Sequence, residues 1–178
     1  MEPKAHSIEL EKLIGLFFGH ADGLGKFNQV TADSIDEPHR SLLNHDHHMT
    51  VTVEKFHSSP VDVEVLQEKR VDNLYSREIC LRKQSDDQIV QYGIVQLNFN
   101  HLEELVRNEI TNRNRPLGRI LIDHDVLRQV KLLSLYKIAP SDYLKSRLGC
   151  DCDFVYGRTA IIFCNDEPAI ELLEIVAI

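Results

Sequence analysis

The chain has 178 residues, 43% of them apolar and 27% charged, which is ordinary globular composition and suits one domain with a sizeable core. Its 28 Asp and Glu outnumber 20 Lys and Arg for a formal charge of −8, which argues against non-specific nucleic-acid binding, since that needs a basic surface. No stretch approaches the roughly 18 apolar residues of a membrane span, and the charged N-terminal MEPKAHSIELEKL lacks the apolar core of a secretion signal.

Residues 8–18, IELEKLIGLFF, set Leu10, Leu13, Ile14 and Phe17 at helical spacing. The following GHADGLGKFNQVTADSIDEP is Gly- and Asp-rich and reads as loop. Pro38 can then open a short helix through HRSLLNH. Residues 61–69 alternate through Val61, Val63 and Val65 as a half-buried strand does, and two more strands follow at 74–83 and 88–98 with QSDD as the turn between them. Residues 101–113 are helical, with Leu102, Leu105, Val106 and Ile110 on one side. PLGRILI starts another short element, and 126–138 is a strand. Pro140 starts the helix SDYLKSRL, which Gly149 ends. Two strands, DFVYGRTAIIFC and PAIELLEIVAI, close the chain around the turn NDE. Consecutive strands joined by tight turns predict an α+β protein, a single antiparallel β-sheet with helices packed on it.

Strand parity singles out two charges. Arg77 shares a face with Tyr75, Ile79 and Leu81, while Ser76, Glu78 and Cys80 take the other. Glu174 is the polar member of a face formed by Ile170, Leu172, Val176 and Ile178. An ionised group in a core must be paired or used, because its desolvation costs several kcal/mol. A buried Arg77–Glu174 ion pair or an edge strand with one wet face satisfies this pattern. So does a closed pocket in which the Arg77 fork grips an anion and Glu174 meets a hydroxyl or a proton.

Other clusters carry less. In LLNHDHHMTVTVEKFH, His45, His47, His48 and His57 stand near Asp46, but adjacent side chains diverge and no supporting Cys or distant His strengthens a metal reading. Cys150 and Cys152 are too close for a zinc knuckle and read as a loop before a strand, and Cys80 and Cys164 read as buried thiols. Four cysteines in this pattern do not make a disulfide framework, and a reduced, cytoplasmic setting is expected. HADGLGKF lacks the spacing of a phosphate loop, and His124 between Asp123 and Asp125 suits a solvated turn.

Four segments in order resemble the chorismate pyruvate-lyase family, in its compact prokaryotic branch. HHMTVTVEKF resembles the family's Ser-Met-Thr segment and YSREICL its Arg-Glu-Val strand. RPLGRIL matches its Pro-Leu-Gly-Arg motif, and VYGRTAIIF with EPAIELLEIV resembles its closing hairpin. The match runs from about residue 38 to the end, so 1–178 is expected to be one chorismate lyase-like domain whose first 37 residues match less well. The resemblance implies an enclosed ligand pocket and conversion of chorismate to 4-hydroxybenzoate and pyruvate, with no metal and no cofactor. It places ligand contacts on Met49, Arg77, Leu117 and Glu174, with Glu171 competing for the last role. It further implies a helix, not a strand, beginning at Met49; the second carboxylate of chorismate calls for a second cation, for which Arg158 and Arg119 are the candidates, with a strand-end or helix-surface arginine as the commoner alternative for either. The expected partner is a small molecule, chorismate or a related aromatic carboxylate, with neither nucleic acid nor membrane. A non-catalytic module of the same fold that binds an aromatic carboxylate is the alternative. The motifs leave oligomeric state open.

Overall fold

The computed structural model describes residues 4–178; residues 1–3, the first of the charged N-terminal stretch, lie outside the described residues. Seven strands form one sheet in the order β1-β5-β6-β7-β4-β3-β2, every neighbouring pair antiparallel. They are β1 (Gly25–Val30), β2 (Val61–Val71), β3 (Leu74–Lys83), β4 (Ile89–Asn98), β5 (Arg128–Pro140), β6 (Val155–Cys164) and β7 (Glu167–Val176). The β6–β7 hairpin turns on Asn165 and Asp166, both left-handed at φ 52° and 64°. Two such residues match the right-handed twist of the flanking strands, and Asn and Asp adopt that conformation at little cost.

β1 lies where a loop was expected. GKFNQV has little β-branched or alternating character, and its strand conformation comes from pairing with β5 at the sheet edge, Gly25 opposite Pro140 through Val30 opposite Leu135. Gly25 has φ 121° and its missing Cβ would fall 2.1 Å from the Ala139 carbonyl oxygen, so the residue that looked like a loop marker is what permits the pairing.

Helices cover both faces. α1 (Lys4–Gly15) and α6 (Asp142–Leu148) pack on one face, with Leu13, Ile14, Leu144 and Leu148 buried against Tyr92, Leu173 and Ile175. The other face carries α2 (His39–Leu43), α3 (Met49–His57), α4 (Glu104–Thr111) and α5 (Leu117–Asp123). Its apolar contacts fall into two clusters, one around Leu97, Val106 and Ile120 and one around Leu43, Met49 and Ile79. Because both faces are covered, Glu78 is as buried as Arg77, which parity alone had left on the outer side. Three donors satisfy its carboxylate: the hydroxyls of Tyr92 and Tyr143 and the amide of Gln67, at 2.6–2.7 Å.

Two smaller expectations shift. Leu105 is 68% exposed, so Leu102, Val106 and Ile110 alone hold that segment to the core. Pro140 ends β5 and Ser141 caps α6 through its hydroxyl, which accepts from the Leu144 N–H at 3.2 Å; Gly149, left-handed at φ 66°, stops that helix as expected.

Candidate functional site

The register of β3, β4, β7 and β6 sets out the site row by row on the face under α3 and α5. Arg77 lies opposite Val95, which lies opposite Leu172. In the next row Ile79, Gly93, Glu174 and Arg158 are neighbours in that order. The row beyond holds Leu81, Gln91 and Val176. Gly93 therefore leaves a gap in the floor, bordered by Ile79 and Glu174 across the sheet and by Gln91 and Val95 along its own strand. Met49 and Thr50 at the start of α3 and Leu117 and Gly118 at the start of α5 roof this gap. A Cβ on Gly118 would sit 3.0 Å from the Thr50 hydroxyl, so the glycine lets the two helix ends meet. These residues line a cavity with a volume of about 40 Å³.

Arg77 is 1% exposed. Its Nη1 donates to the Ile110 carbonyl at 3.3 Å and its buried Nε has no partner. Among the described residues no carboxylate forms an ion pair with it. Burial pulls it below an ordinary arginine's value, and Tyr75, with Glu68 hydrogen-bonded behind it at 2.6 Å, offsets this only in part. The expected alternative of an Arg77–Glu174 ion pair is thus absent.

Glu174 pairs instead with Arg158, Nε to Oε2 at 2.8 Å, and both are buried. Arg158 has no exposed surface, and its remaining nitrogens donate to the carbonyls of Leu43, His45 and His47 at 3.4, 2.8 and 3.0 Å. One guanidinium therefore ties the histidine-rich segment to the carboxylate of β7, and its donors are spent on protein acceptors. Glu171 is on the opposite face, paired with Lys12 at 2.8 Å, so the glutamate in the cavity is Glu174. Arg119 pairs with Glu54 on the outside of the roof, linking α5 to α3. Neither arginine stands ready as a second ligand cation.

The histidines serve the roof. His45 Nε2 donates to the Leu42 carbonyl at 2.7 Å, which leaves Nδ1 to accept the His47 N–H at 3.1 Å. His48 Nε2 accepts from Arg128 Nε at 2.6 Å. Burial first, then Arg158 beside His45 and Arg128 beside His48, brings both rings down to about 4. With their ring nitrogens so engaged, His45 and His48 hold the segment that leads into α3, and α3 is a helix despite the alternation of Val51 and Val53. His124 lies outside the cavity, 3.3 Å from Glu109.

The cavity thus brings together all five expected residues, Met49, Arg77, Leu117, Arg158 and Glu174. It adds Gln91 and Gly93, which the sequence reading passed over. Parity along β4 would have found them, since Gln91 and Gly93 share the face of Val95 and Leu97; Gln96 on the other face blurs that signal.

The sheet order and the helices on it define the chorismate lyase-like fold. PhnF from Mycobacterium smegmatis superposes with a TM-score of 0.54 at 12% identity over 71% of this chain and 62% of that one, so this chain spans less than two thirds of PhnF. The effector domain of the same protein gives a TM-score of 0.52 at 13% identity, over 73% of this chain and 87% of that domain. The gene product SA0254 of Staphylococcus aureus gives 0.53 at 8% identity, covering 76% and 90%. In sequence, a Methanocaldococcus jannaschii protein named "Putative lyase" is 26% identical over 144 residues, 77% of this chain and 76% of that protein. No protein-family model matches the chain. No helix among the described residues is long and apolar enough to cross a membrane.

Proposed function

We propose that the protein is a lyase of the chorismate pyruvate-lyase type. The observation that carries this reading is Arg77: a buried guanidinium lining a cavity, with an unpartnered Nε and no ion-paired carboxylate among the described residues. Such a group is costly unless an anion completes it. A planar carboxylate fits its fork.

In this reading the ring carboxylate of chorismate sits on Arg77 and the ring lies over Gly93 between Val95, Leu172 and Ile79. Glu174 accepts from the ring hydroxyl while Arg158 fixes its orientation. Met49 and Leu117 exclude water from above. Elimination breaks the bond from the ring to the enolpyruvyl oxygen. The hydrogen on the hydroxyl-bearing ring carbon leaves and the enolpyruvyl methylene gains one, giving 4-hydroxybenzoate and pyruvate. Because aromaticity drives this step, the protein supplies orientation and charge placement rather than a nucleophile. Likeness to a lyase-named archaeal protein supports the reaction class.

The second reading, binding of an aromatic carboxylate without turnover, is favoured by the fold shared with the PhnF effector domain. Incubating the protein with chorismate and following 4-hydroxybenzoate separates the two. Formation above the uncatalysed background, abolished in Arg77→Met, is the expected result. Calorimetric binding of 4-hydroxybenzoate with no turnover selects the second reading, and neither binding nor turnover sinks both.

A further inference from the structure

Two cavity-lining side chains carry buried polar atoms without a hydrogen-bond partner: Arg77 at Nε and Gln91 at Oε1. Gln91 is 3% exposed in the middle of the sheet, between Leu81 and Val176. A buried amide left incomplete in a core is costly and calls for a partner. Half a turn about its last torsion exchanges oxygen and nitrogen, so the amide can offer the cavity either an acceptor or a donor.

Position says what it meets. Strands lie about 4.8 Å apart and same-face residues about 6.8 Å apart along a strand. From Arg77, Glu174 is two strands across and one step along, a diagonal that crosses β4 between Val95 and Gly93. Gln91 flanks that diagonal on the side of Gly93 away from Val95. A benzene ring whose carboxylate is on Arg77 and whose para-substituent is on Glu174 therefore turns one meta-position toward Gln91. The two arginines considered for a second anion are engaged elsewhere, Arg158 with Glu174 and three carbonyls, Arg119 with Glu54.

We propose, on the strength of the aromatic-acid reading, that Gln91 is a specificity-determining residue whose amide N–H donates to an anionic oxygen on the ligand's meta-substituent. The class of ligand is a ring acid with a hydroxyl opposite its carboxylate and a carboxylate-bearing ether next to that hydroxyl. A neutral donor holds such an ether firmly enough to orient it. It keeps no ionic hold on the fragment once the ether bond is broken.

Calorimetry with two stable probes tests this: 4-hydroxybenzoate, which has no meta-substituent, and 3-(carboxymethoxy)-4-hydroxybenzoate, which has one. Gln91→Met is expected to weaken the second probe about tenfold, the worth of one hydrogen bond to a charged group, and to leave the first within about twofold. Gln91→Glu, matched in shape but anionic, should weaken the second probe further still. Circular dichroism melts of both variants check the fold, and the two substitutions perturb packing differently enough that one suffices. Equal loss for both probes, or no loss for either, overturns the role of Gln91 while leaving the aromatic-acid reading intact. If the wild-type protein binds neither probe, that reading fails and takes this one with it.

Discussion

A guanidinium buried without an ion-pairing carboxylate works against the stability of the chain that holds it, and Arg77 is such a group among the described residues. Arg77→Met is therefore expected to stabilise the protein by about 1–3 kcal/mol in urea unfolding while abolishing ligand binding. Arg158 behaves oppositely. Arg158→Met strands the Glu174 carboxylate and releases three carbonyls, so a loss of about 3–5 kcal/mol is expected in the same assay. The two neutral histidines add a pH dependence. His45 and His48 titrate near 4 when folded, against 6.5 for an unperturbed ring. Between those values the unfolded chain binds more protons, so stability falls as pH falls from 6.5 toward 4. Urea midpoints measured across that range should decline less steeply in His45→Asn/His48→Asn than in wild type. Parity made Arg77 and Glu174 legible in the sequence because an alternating strand with one charge on its apolar side has few explanations. The partner of Glu174 was not legible: Arg158 stands in a strand joined to β7 by a hairpin, and only the register places the two side by side.

Strands with clear alternation or strongly β-forming runs could be read directly, and the β6–β7 hairpin followed from its turn. β1 could not, because an edge strand draws its conformation from one neighbour and needs no pattern of its own. α3 was contradictory at the level of pattern, Val51 and Val53 alternating as a strand does. The helix prevails because it buries Met49, Thr50 and Val53 together while leaving Val51 40% exposed. In β6 the Tyr-Gly-Arg run has a division of labour. Gly157 lies where a Cβ would meet the Glu174 carbonyl oxygen at 2.8 Å, and Arg158 next to it makes the strut. Gly157→Ala must push β6 from β7, and a loss of about 1–3 kcal/mol in thermal unfolding is expected.

For the molecule as a whole, helices on both faces remove any wet side from the central strands, which is why Glu78 and Glu174 are both interior on opposite sides of the sheet. A reading that allows the sheet one inner face finds only half of the buried charge. The site likewise needed the register, since its floor is drawn from four strands and its roof from two helices. The helix α1, in the part of the chain that least resembles the lyase family, covers Tyr92, Leu173 and Ile175 through Leu13 and Ile14. Deleting residues 1–18 should yield a protein that binds a hydrophobic dye and loses near-ultraviolet dichroism. The placement of β7 has a consequence for biosynthesis. The seventh strand in chain order lies at the middle of the sheet, between β6 and β4. During translation the chain can first form only two separate flaps, β2-β3-β4 and β1-β5-β6, each with an open inner edge. β7, made after the other six strands, joins the two flaps and delivers Glu174, so the floor of the cavity is complete only once they have closed on each other.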